Sequence, residues 1–221
     1  MIDLILVPQG AEYQSVCKGL THVVQPIPQV VAIPVGIQPV TRYLQHWQQH
    51  SDLQSIYTVL IMGLCGSLNP SYGVGDVVLY ENCLDQQRNL WQGDRTLNAM
   101  IQSRLEAPLV QALTSDRLIA SAQDKQILAQ TSGADIVDME GTAILKTLEG
   151  MNLAIATLRV VSDDCHHDLP DLNRAIDANG SLRPLPMAWG MIRQPIAATR
   201  LIRGSLKGLK TLQTATTILF S

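Results

Sequence analysis

Short apolar runs recur along the chain, and the stretches between them are long enough to hold a helix. Ile2–Pro8 ends in a Pro-Gln-Gly turn, Val30–Val35 is closed by Gly36, and Ile56–Met62 is closed by Gly63. With Asp76–Tyr80, Pro108–Leu113, Asp135–Met139 and Leu153–Val161, these runs read as buried strands. Between them, Ala11–Leu20, Val40–His50, Ala122–Gln130 and Gly141–Leu148 show helical spacing, and Ser121 with Asp124 three residues on offers an N-cap to the third. Runs without polar alternation, separated by helices, predict an α/β protein with a largely parallel sheet. Residues 84–106 read as an excursion of polar loop and short helix. Residues 164–195 carry Pro170, Pro184, Pro186 and Pro195 and read as a long irregular stretch, of the kind that often forms lids or binding loops. A basic helix follows at about 196–213.

Composition narrows the class. The 221 residues are 46% hydrophobic and 16% charged, which suits one globular domain over 1–221. No window is apolar for long enough to span a membrane, and Met1-Ile2-Asp3-Leu4 lacks a basic signal-peptide start, so a cytoplasmic protein is expected. Cys17, Cys65, Cys83 and Cys165 are too scattered for a zinc site or a disulfide framework. An aromatic content of 4% argues against stacking platforms for nucleic acid. The net charge of −3 is uneven: residues 178–221 hold six cations and no acid, leaving −9 for the rest. Such a tail is the solvated face of a terminal helix or, given Ile196, Leu201, Ile202, Leu206 and Leu209, a helix resting on an anionic membrane surface.

Candidate chemistry gathers at strand ends, where open α/β sheets bind ligands. Glu12 follows the first strand in Gly10-Ala11-Glu12; Met139 and Glu140 join a strand to a helix; and the last strand delivers Arg159, Ser162 and Asp163. Each also has a plain reading, as a first-turn acid, a helix start and a Ser-Asp-Asp turn. Gly63-Leu64-Cys65-Gly66 reads as a glycine-rich strand exit that lets backbone N–H groups approach an anion or a sugar; its spacing is neither a Walker A loop nor a dinucleotide fingerprint. Cys165-His166-His167-Asp168 suggests a metal cluster, but adjacent side chains rarely converge on one ion, and neither metal nor cofactor is expected. No Gly-x-Ser-x-Gly elbow is present.

Together, Val137-Asp138-Met139-Glu140 and Arg159-Val160-Val161-Ser162-Asp163 resemble the paired motifs of the nucleoside phosphorylase/nucleosidase superfamily. The Gly63–Leu68 block followed by Gly75-Asp76-Val77 is similar to that family as well, and the likeness runs in order over residues 3–163. The resemblance implies a three-layer α/β/α sandwich with a central mixed, largely parallel sheet, built as a homo-oligomer whose subunits complete one another's pockets. It implies that Asp163 protonates a purine ring nitrogen, that Glu140 holds ribose hydroxyls with Met139 packed against the sugar, and that Glu12 activates water. Ser162, Gly63, Leu64, Cys65 and Gly66 join the substrate site by the same likeness, while Arg159 is assigned to structure, as an ion-pair partner or loop anchor. The expected activity is cleavage of the N-glycosidic bond of an adenosine-type nucleoside. The alternative is phosphorolysis to ribose 1-phosphate with phosphate as co-substrate, and the contrasting class is a non-catalytic nucleoside-binding or membrane-docking protein. Two departures favour water: Leu64 replaces the hydroxyl residue that phosphorylases place by the phosphate, and the Glu12 segment has no Arg. Thr114-Ser115-Asp116, Ser121-Ala122-x-Asp124-Lys125 and Asp177-Ala178-Asn179-Gly180 are further similar to the hopanoid-associated branch, which implies adenosyl hopane as substrate.

Overall fold

A computed structural model describes residues 2–21, 23, 26–50, 56–172 and 184–221 of the chain. Eight strands and seven helices follow one another among these residues. β1 (Leu4–Pro8) lies between β2 (Gln29–Ile33) and β3 (Thr58–Ser67), parallel to both, and every residue of β1 is buried. That burial on both faces is why β1 is a continuous apolar run. β3 continues parallel to β8 (Ala154–Asp163), from Thr58 opposite Ala154 to Gly66 opposite Asp163.

Beyond β8 the sheet is mixed. β4 (Val77–Leu84) runs antiparallel to β8 and to the short β5 (Leu90–Gln92), and parallel to β6 (Leu109–Thr114). β7 (Ile136–Asp138) pairs parallel with β6 and antiparallel with the end of β3. The pairings β3–β8–β4–β6–β7–β3 therefore close on themselves, and the sheet curls so that the ends of β3, β7 and β8 meet. Helices α1 (Ala11–Gly19), α2 (Ile37–His50), α3 (Arg95–Gln102), α4 (Ala122–Ser132) and α5 (Gly141–Leu148) surround it. The mixed, largely parallel α/β architecture agrees with the expectation from the sequence.

Ser121 caps α4 by accepting a hydrogen bond from the Asp124 amide, as its position predicts. Three differences have physical causes. β3 and β8 run past the predicted ends, so Gly63–Gly66 is strand and not a loop. The excursion at 84–106 holds β5 and α3, the latter capped by Asp94, which accepts from the Leu97 amide at 2.7 Å. Within the stretch expected to be irregular, α6 (Pro184–Arg193) is a helix, its prolines falling in a first turn whose amides need no intrahelical partner.

The last helix, α7 (Pro195–Phe220), is longer than expected and does more than line the surface. Its Leu212, Ala215 and Leu219 belong to the core shared with α1 and the sheet. Gly204 sits so close to the Ser162 carbonyl, and Gly208 to Leu64, that a side-chain carbon on either has no ordinary room. This close approach holds α7 over the ends of β3 and β8. No helix among the described residues is long and apolar enough to cross a membrane.

Candidate active site

Where β3, β7 and β8 end, beneath α6 and α7, lies a cavity of about 480 Å³. Glu12, Met139, Glu140, Ser162 and Asp163 all line it, with Leu64, Cys65 and Gly66. Gly63 lies behind the wall rather than in it.

Two of the three carboxylates are held by backbone amides. Glu12, in the first turn of α1, accepts a hydrogen bond from the Leu64 amide at 2.7 Å. Burial pushes its pKa up, while Arg159 and that amide pull it back. Glu140 is the residue before α5, 4% exposed, and accepts from the Gly36 amide at 2.9 Å. Gly36 has a φ of 92°, a turn that suits glycine and aims its N–H at this acid. Burial pushes the Glu140 pKa up to about 7 against the nearby Arg159 cation, with Asp138 and Glu12 adding to the rise. Asp163 ends β8 at 9% exposure, and burial raises its pKa although Lys125 opposes the rise.

Behind these acids stands a buried charge cluster. The Arg159 guanidinium is fully buried and donates through Nη2 to Asp138 at 2.9 Å, with Glu140 Oε2 at 3.6 Å. Burial works against its charge, but Asp138, Tyr80 and the two glutamates hold the proton on firmly. Asp138 also accepts from the Tyr80 hydroxyl at 2.9 Å and the Thr114 hydroxyl at 2.8 Å, so both its oxygens are engaged. Nε and Nη1 of Arg159 have no hydrogen-bond partner among the described residues. Nη1 and Glu12 Oε1 both lie against the bare Cα of Gly63, and Asp163 lies against that of Gly66. The glycines at these two strand positions make room for functional side chains from the neighbouring elements. The segment is strand rather than the expected loop, and its Leu64 amide meets the Glu12 carboxylate.

Two cations organise these acids. Arg159, expected to be an ion-pair partner or loop anchor, pairs with Asp138 and Glu140 and faces Glu12. Lys125, named in the sequence only as the end of the Ser121–Lys125 motif, is 1% exposed and donates to Asp163 Oδ2 at 3.0 Å and to the Asp164 carbonyl at 2.6 Å. Their signal was present: a cation inside an apolar strand, and a lysine three and four residues before Leu128 and Ala129 on the inward face of α4.

Cys165-His166-His167-Asp168 forms a turn. Cys165 is buried while His166 and His167 point to solvent, and Asp164 accepts from both histidine amides. Among the described residues no three His, Cys, Asp or Glu side chains gather to hold a metal. The Asp177–Gly180 motif lies outside the described residues.

A mixed, curled sheet thus brings acids from three elements around one apolar-roofed cavity. The sequence model of the phosphorylase superfamily matches residues 48–181, and the chain belongs to that family of enzymes. Solved structures agree in fold. Futalosine hydrolase of Helicobacter pylori superposes with a TM-score of 0.71 at 13% identity, over 99% of this chain and 97% of its own. A putative 5′-methylthioadenosine/S-adenosylhomocysteine nucleosidase from Borrelia burgdorferi, bound to adenine, gives 0.73 at 12% identity over 99% and 98%. The Streptococcus pneumoniae MTA/SAH nucleosidase with 8-aminoadenine gives 0.63 at 18% identity over 97% and 100%. No curated protein matches the chain.

Proposed function

We propose that this protein hydrolyses the N-glycosidic bond of an adenosine-type purine nucleoside. The observation that carries the reading is the convergence of Glu12, Glu140 and Asp163 on one cavity from three separate elements. Asp163, whose burial favours the protonated carboxyl while Lys125 opposes it, gives a proton to a ring nitrogen of the departing base. Glu140, as a carboxylate, accepts hydrogen bonds from ribose hydroxyls, with Met139 beside it against the sugar. Glu12 orients water and takes its proton as the oxygen bonds to C1′. The bond's electron pair leaves with the base, so the products are free purine and the sugar. Neighbours in fold whose names specify futalosine or methylthioadenosine hydrolysis support this choice of chemistry.

Electrostatics favour water over phosphate. Arg159, the cation beside Glu12, already faces Asp138 and Glu140. A phosphate dianion there would meet three acids in a poorly solvated pocket. Product analysis in phosphate-free buffer decides the matter: free sugar formed at an undiminished rate supports hydrolysis, and ribose 1-phosphate with strict phosphate dependence overturns it.

The far half of the cavity is apolar, lined by Leu172, Met187, Met191, Leu201, Ile202 and Leu206. It suits a nucleoside with a large apolar 5′ substituent, and adenosyl hopane is the extreme form of that proposal. Exposed Leu185, Trp189, Ile192 and Ile196 stand beside Arg193, Arg200 and Arg203, a pairing that favours peripheral contact with anionic lipid. Flotation with anionic and neutral vesicles tests it, and equal recovery with both would dismiss it. We also propose a homo-oligomer, which sedimentation would show.

A further inference from the structure

We infer that Lys125 is a positioning residue for proton donation: its ammonium holds one oxygen of Asp163, leaves the other open to the cavity, and stabilises the carboxylate left behind. The inference rests on Asp163 being the general acid of the proposed reaction.

Lys125 sits where a lysine is expensive. It comes from the inward face of α4 and is 1% exposed, and a buried ammonium is tolerated only when it is paired and hydrogen-bonded. Its partners are Asp163 Oδ2 at 3.0 Å and the Asp164 carbonyl at 2.6 Å. No described residue donates to Asp163 Oδ1, which leaves that oxygen for substrate. The carbonyl contact gives the lysine nitrogen a second anchor that does not depend on the carboxylate.

Two opposed influences then set the acid. Burial favours the neutral carboxyl, which must be present before a proton can be given. Lys125 favours the carboxylate, which forms when the proton leaves. As the glycosidic bond breaks, its electrons stay on the base, and a ring nitrogen takes the proton from Asp163 Oδ1. The new carboxylate lies beside a cation already in position, so little reorganisation accompanies the transfer. Without Lys125 the carboxyl would be protonated over a wider pH range yet be a weaker acid.

Other charged or titratable groups near Asp163 come from several elements. Cys65 approaches from β3 and Arg117 from the cavity wall. Asp164, His167 and Asp168 follow in the adjoining turn, and Arg200, Arg203 and Lys207 of α7 line a smaller neighbouring cleft with it. All remain when only Lys125 is changed.

The test is the pH profile of kcat/KM for Lys125→Gln, which keeps an N–H donor and removes the charge. Lys125→Met is a second uncharged variant, and Lys125→Arg restores the charge. Two substrates are compared: a purine riboside that releases adenine, and 4-nitrophenyl β-D-ribofuranoside, whose leaving group departs without a proton. For the purine riboside the alkaline limb should move up by about one pH unit or more in the uncharged variants. The plateau should fall about ten- to hundredfold, and the loss on the nitrophenyl riboside should be at least about tenfold smaller. Lys125→Arg should keep the alkaline limb near its wild-type position. Uncharged variants whose profiles overlay the wild type, or that lose equally on both substrates, would overturn the role of Lys125 while leaving the nucleosidase reading standing. A wild-type protein that releases purine from no nucleoside would overturn both.

Discussion

The two ends of the cavity are built on different principles. At the strand ends, each acid has a fixed partner: Glu12 on the Leu64 amide, Glu140 on the Gly36 amide, Asp163 on Lys125, and Asp138 on four groups. Under α6 and α7 the lining is methionine, leucine and isoleucine, which pack without directional demand. The first end must place protons and charges to within fractions of an ångström. The second needs only to match the shape and apolar character of whatever the nucleoside carries. On the proposed reading, chemistry and substrate choice fall to opposite ends of the cavity, and substitutions at the two ends should have different signatures.

The largest effect is expected at the proton donor. Asp163→Asn keeps the shape and the contact with Lys125 but removes the acidic proton, and should lower adenine release by ~10²–10⁴ with the fold retained. Near wild-type turnover in a purine-release assay would place the acid elsewhere, with Asp164 the next group to test.

This division also explains what could be read from the chain. Glu12, Glu140 and Asp163 were legible because each follows an apolar run, and a strand end marks a place on the sheet without knowledge of the rest. Lys125 was legible only as a motif residue and Arg159 only as an ion-pair partner or anchor, because the partners that place them lie 38 and 21 residues away. The glycines misled for a related reason. Gly63 and Gly66 look like punctuation, yet β3 runs through both, since side chains from elsewhere occupy the space that their own would fill. The tail was legible as basic and apolar but not as core. One face of α7 carries Leu212 and Leu219 into the interior, so its cations describe only the outward side.

Next in size is a loss of stability at the charged end. Arg159→Leu would leave Asp138 buried without its cation and bring Glu140 and Glu12 together with no charge between them. Breaking a buried pair from one side costs about 3–5 kcal/mol. Urea unfolding should show a loss in that range, and an unchanged midpoint would mean the cluster relaxes by taking up protons instead.

Glu140 gives a smaller, substrate-dependent effect. With a pKa raised to about 7, it becomes neutral as pH falls through that value and then accepts ribose protons poorly. Turnover of ribosides should therefore decline on the acid side of about pH 7. Glu140→Gln should penalise ribosides over 2′-deoxyribosides by about tenfold, because a charge-assisted hydrogen bond is roughly twice as strong as a neutral one. Equal losses on the two sugars would show that this carboxylate does not read the 2′-hydroxyl.

The smallest effect is expected at the apolar end, and it is the sharpest test of the division. Removing the whole of α7 would confuse the two ends, because Leu212, Ala215 and Leu219 hold the core. Ile202→Ser with Leu206→Ser changes only the lining, since both side chains face the cavity and are largely open to solvent. A fully buried methylene contributes about 0.8 kcal/mol, and partial exposure reduces that. KM for nucleosides with a long apolar 5′ group should accordingly rise about three- to tenfold, with kcat and the adenosine parameters little moved. A fall in kcat for adenosine itself would mean that α7 also shapes the charged end, through the close contact of Gly204 with the strand that carries Asp163.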